Sequence, residues 1–190
     1  MLGSKARSVS RARELSRLRT TIALWERWEA NPKAGALQGS MIEINGLAHV
    51  ILTVSDWPAC RPFYDRLLGF LGLSQVFAGE EMIYYVGGRT AIGVGKCDPA
   101  YEGQRFVQNS VGLHHVCFRA RSRADVDAVH EFLQSIDAHI VHRPREGAWA
   151  PGYYSVLFED PIGTRLEVNH VPGKGVLADG VDFNAADDYR

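Results

Sequence analysis

The chain has 190 residues, 46% of them hydrophobic and 23% charged, which excludes a disordered or collagen-like protein and leaves one globular domain or two small modules sharing a core. A net charge of −1 hides a basic front, 8 Lys and Arg against 3 acids in residues 1–40, and an acidic remainder, 13 against 19, with no nucleic-acid footprint. Cys60, Cys97 and Cys117 have no paired spacing, so a disulfide framework or thiolate zinc site is not expected, a reducing cytoplasmic compartment fits, and Cys117 reads as a buried small hydrophobe. No apolar run is long enough to span a bilayer, and no signal-peptide pattern is visible.

The front segment SRARELSRLRTTIALWERWEA spaces Leu15, Leu18, Ile22 and Trp25 for a helix with one apolar stripe, and Asn31-Pro32 is a plausible stop. A partner helix, a membrane-surface helix or an Arg- and Ser-rich organelle transit peptide would each fit. The simplest reading is an extension, residues 1–40, ahead of a body at 41–171 and a tail at 172–190.

The body repeats itself. GLAHVILTV at 46–54 matches GLHHVCFRA at 112–120, and the same offset of 66 lays WPACRPFYDRLLGFLG (57–72) over RADVDAVHEFLQSIDA (123–138). Both of the latter read as helices, with Asp56 and Ser122 as N-caps. Strand-like runs follow each helix: LSQVFA, MIYYV and TAIGV in module one (44–96), HIVHR, YYSVLFED and TRLEV in module two (110–171). Gly87-Gly88 and Asp160-Pro161-Ile162-Gly163 are the turns before each last strand. Each module is thus strand, helix, three strands, and two such units must pair to close a core.

Strand parity sorts the side chains. Val50, Leu52 and Val54 share one face, and His49, Ile51 and Thr53 the other. In the repeat, His114, Val116 and Phe118 lie opposite His115, Cys117 and Arg119, so His114 reads as a packed histidine needing one hydrogen-bond partner. In the last strand Leu166 and Val168 oppose Arg165, Glu167 and Asn169. His49, His115 and Glu167 therefore emerge as potential metal ligands on the polar faces. A solvated face, with Glu167 paired to Arg119 or Arg165, is the plainer alternative, but a histidine kept at equivalent repeat positions favours a ligand.

GLAHVILTVSD, FYDRLLGFLG, GLHHVCFRA and GYYSVLFEDPIGTRLEVNHVPG resemble the vicinal oxygen chelate superfamily of glyoxalases, bleomycin-resistance proteins and extradiol dioxygenases, over residues 44–171. The resemblance implies an α+β fold of two βαβββ modules forming a cupped mixed sheet, here with an N-terminal helix added. It also implies a divalent metal on His49, His115 and Glu167, and a homodimer. Gly93 aligns with Glu167 and supplies no fourth ligand. Two imidazoles and one carboxylate leave open coordination positions for a small oxygen-bearing substrate, and do not choose among Fe, Mn, Ni and Zn. Where an extradiol enzyme would carry its acid–base Tyr this chain has Leu157, so Tyr153 and Tyr154 are the catalytic candidates. Thr53, Arg119, Arg165 and Asn169 by face, and Arg145 and Trp149 by loop position, are the substrate-binding candidates. The expected function is metal-dependent lyase, isomerase or dioxygenase chemistry; the alternative is non-catalytic binding of a flat ligand, as in bleomycin-resistance proteins.

Overall fold

The computed structural model describes residue 44 and residues 46–181. The basic N-terminal helix, the boundary at residue 40 and the end of the tail lie outside the described residues. A compact unit begins at Leu47 and contains every element described here.

Module one runs β1 (His49–Val54), α1 (Trp57–Phe70), β2 (Ser74–Ala78), β3 (Met82–Gly87) and β4 (Thr90–Lys96). Module two runs β5 (Val116–Arg119), α2 (Arg123–Ser135), β6 (His139–Glu146), β7 (Tyr154–Glu159) and β8 (Arg165–His170). Each folds into a four-stranded sheet of the same order, β1-β4-β3-β2 and β5-β8-β7-β6. First and last strands pair parallel, which requires a crossover, and the helix provides it. The ladders place Ile51 beside Gly93 and Cys117 beside Glu167, so the repeat read from sequence is also a repeat of register.

The helices start where short polar side chains take up orphan N–H groups. Asp56 accepts from Ala59 N at 3.1 Å, and Ser122 forms a reciprocal capping box with Asp125. Pro62 inside α1 removes the bond to the Pro58 carbonyl, but both residues are exposed, so water can satisfy that oxygen. Cys60, Tyr64, Leu67 and Leu68 on α1, and Val126, Val129 and Leu133 on α2, are the buried stripes. These join Leu52, Val54, Phe158 and Leu166 in one core built from both modules. Phe70 stacks on Phe132 with ring centres 4.1 Å apart. Tyr64 donates its hydroxyl across to Asp160 at 2.8 Å.

Three details depart from the sequence reading. The β3–β4 turn is Gly88-Arg89 rather than Gly87-Gly88, because Gly87 pairs with Thr90; φ values of 58° and 66° suit a tight hairpin following the sheet's twist. Strand β5 begins only at Val116, leaving His114 and His115 just ahead of the ladder. Cys117 is exposed rather than buried, because Val116 and Phe118 take the core side of the strand and turn it to the open face.

Candidate metal centre

The open face of each sheet, opposite the helix, is what the fold leaves for chemistry. In module two, His115 Nε2 lies 3.4 Å from Glu167 Oε2. Each of these donors is also held at its other end. His115 Nδ1 sits 2.8 Å from His114 Nδ1, which in turn lies 3.3 Å from Gln108 Nε2. Glu167, 6% exposed, accepts the Tyr153 hydroxyl on Oε1 at 2.5 Å. Burial would raise the Glu167 pKa, but hydrogen bonds from His115, Tyr153 and Ser155 outweigh it and hold the carboxyl below its ordinary value, ionised at neutral pH. Tyr153 is pushed up by burial and by its bond to Glu167, so it stays protonated and acts as a donor.

A small cavity of about 30 Å³ adjoins the pair, with Gln108, His142, Arg145, Trp149 and Ser155 among its walls. Trp149, Ala150 and Tyr153 form a small apolar cluster beside it, which anchors the loop between β6 and β7.

The other sequence-derived candidates are placed as follows. Trp149, Arg145 and Tyr153 line the cavity. Tyr154 points to the opposite face, donating to Asp127 at 2.8 Å beneath the Arg123 guanidinium. Arg165 is held by Glu159 at 2.7 Å. Asn169 lies beside the Tyr153 hydroxyl. Arg119, on β5, is exposed. His49 and Thr53 stand exposed on β1, an edge strand of the other sheet. Among the described residues, no third His, Cys, Asp or Glu of the same chain joins His115 and Glu167 in a metal-sized group.

The equivalent position in module one is closed. A Cβ at Gly93 would meet Ile51 Cδ1 at 2.5 Å, Met82 Cε at 3.0 Å and Tyr84 Cδ2 at 3.0 Å. Apolar side chains thus occupy the space of a fourth ligand, and the face around them exposes Ile51 (46%), Phe77 (54%) and Val86 (42%).

Residues 46–168 match the model of the Glyoxalase/Bleomycin resistance protein/Dioxygenase superfamily. The chain belongs to that superfamily. A candidate glyoxalase from Bacillus halodurans has 26% identity and a TM-score of 0.60, covering 72% of this chain and 98% of that one. An uncharacterized Bacillus subtilis protein, YqjT, is 28% identical over 121 residues, 63% of this chain and 94% of its own. A fosfomycin resistance protein from Listeria monocytogenes, 18% identical with a TM-score of 0.50 over 68% of this chain and 96% of its own, shares the fold. No helix among the described residues is long and apolar enough to cross a membrane.

Sequence reasoning missed Gln108, His142 and Ser155 in this superfamily member, and His114 was assigned to packing alone. His142 follows a register shift in β6, where alternation cannot be counted through. The contact of His114 with His115 joins consecutive residues, a geometry that strand parity excludes. It arises because both precede the regular ladder.

Proposed function

We propose that this chain is a divalent-metal enzyme acting on a small oxygen-bearing substrate, with each cation held by His115 and Glu167 of one copy and His49 of a second. The observation that carries this reading is the His115–Glu167 pair, two donors 3.4 Å apart with their outer atoms fixed by His114 and Tyr153. Such outer partners orient ligands and set the tautomer. His114 lies at Nδ1 of His115, and Nε2 is the atom that faces Glu167 and would meet the metal.

The third donor comes from outside because His49 is exposed on an edge strand of the other module, amid an apolar open face. A second copy laid on that face would cover Ile51, Phe77 and Val86 while bringing His49 to the pair. That arrangement is a homodimer with two sites. A cation so held supplies Lewis acidity to a substrate oxygen, since two neutral imidazoles and one carboxylate leave it net positive with open positions. The protein orients the donors, keeps Glu167 ionised and walls the cavity with Trp149 and Arg145, a flat surface and a cation that suit an aromatic or anionic substrate group.

Elemental analysis of freshly purified protein is expected to show about one divalent ion per chain, lost in His115→Ala and Glu167→Ala. Wild-type protein that folds, binds aromatic ligands and contains no metal would instead favour the non-catalytic binding role.

A further inference from the structure

A larger hollow lies where the two modules meet. Along α1, Ala59, Pro62, Phe63 and Arg66 recur at the three- and four-residue spacing of one helix face, next to the buried stripe of Cys60, Tyr64, Leu67 and Leu68. That face forms one wall of a cleft of about 610 Å³, within the roughly 300–1,000 Å³ usual for small-molecule sites. Module two supplies the other wall, with Ile136, Ala138 and Pro161 as its apolar members. The cleft shares no lining residue with the cavity beside His115 and Glu167.

The α1 wall is preorganised. The Phe63 ring packs edge-on against Tyr64 with ring centres 5.3 Å apart, and Tyr64 is itself anchored on Asp160. A ligand entering the cleft therefore loses little to the ordering of that wall.

Charge decides which ligand fits. Glu159 is spent on His139 at 2.8 Å and Arg165 at 2.7 Å, and Asp160 on the Tyr64 hydroxyl and two backbone amides. Arg66 and Arg105 line the cleft with exposed side chains, and among the described residues neither forms an ion pair. Arg105 gives one N–H to the Pro161 carbonyl at 3.4 Å, which leaves the rest of its fork for a ligand. Asp137 is the remaining carboxylate on the wall, so two uncommitted guanidiniums stand against one acid.

We propose that this cleft is a second ligand site, for a small carboxylate with an apolar ring: Arg66 and Arg105 take the carboxylate, and the ring lies between Phe63 and Ile136. Guanidinium and carboxylate match as forks, and the apolar walls hold the part of the ligand that water solvates poorly.

The test titrates full-length protein with 2-naphthoate and with 2-naphthamide, which has the same ring and no charge. Wild type is expected to bind the acid roughly 10-fold or more tightly than the amide, the usual worth of a charged hydrogen bond. Arg66→Gln and Arg105→Gln, both at exposed positions and expected to leave thermal unfolding unchanged, should each weaken the acid and spare the amide. The double variant should bind the two probes alike. Equal affinities for acid and amide in wild type, naphthoate binding that both arginine variants leave intact, or no saturable binding at millimolar naphthoate would each overturn the assignment.

Discussion

Replacing Asp160 by alanine is expected to remove roughly 3–5 kcal/mol of folding stability, because three buried donors lose their acceptor at once and each orphan costs about 1–3 kcal/mol. Those donors are the Tyr64 hydroxyl at 2.8 Å, Ile162 N at 3.0 Å and Thr164 N at 2.7 Å. They tie the first helix to the turn before the last strand, so the loss falls where the two modules join. Urea unfolding should show a lower midpoint with an unchanged slope. Asp160→Asn keeps one oxygen for the two amides and is expected to cost much less. Burial raises the Asp160 pKa, against the bonds from Thr164, Tyr64 and Ile162 that lower it. A folded pKa above the unfolded one means a contribution fully present below the ordinary carboxylate range and lost as pH rises through the raised value. That pH dependence should vanish in Asp160→Asn. Equal midpoints for wild type and the alanine variant would show that the bridge does not hold the modules together.

Tyr153→Phe is expected to weaken binding of the proposed cation by roughly 10- to 100-fold, the usual effect of removing an outer partner from a metal ligand. Phenylalanine keeps the packing against Trp149 and Ala150, so the fold should survive. What is lost is the hydroxyl that fixes Glu167 Oε1 and helps keep the carboxyl ionised in a buried position. Competition against a chromogenic chelator measures the change. An unaltered affinity would mean that Glu167 is held in place without Tyr153.

Much of this was legible from the chain because two periods dominate it. The helices were visible from their apolar stripes and from Asp56 and Ser122, whose capping bonds form as local sequence dictates. Alternation put His115 and Glu167 on one face, and the ladder brings them together because Cys117 and Glu167 are register partners. The failures fall where alternation breaks or says nothing. Parity makes neighbouring residues diverge, so Tyr153 and Tyr154 could not share a role, yet both looked equal until the strand's faces were known. Cys117 was assigned by residue type, as a small hydrophobe, when its place in the strand pointed the other way. His142 is hidden by the irregular register of β6. Convergence of His49 with the other pair was expected of the duplicated scaffold. Within the described residues of one chain it does not occur, which is why the proposal draws His49 from a second copy.

The most direct test is complementation between two defective chains. His49→Ala and Glu167→Ala proteins, each purified without metal, would be mixed, allowed to exchange subunits and analysed for bound metal and mass. A centre built across two copies predicts that heterodimers regain one intact site, and with it about one divalent ion per dimer, because one chain supplies His49 and the other His115 and Glu167. Heterodimers that form and stay free of metal, while wild-type dimers hold it, would contradict the shared centre.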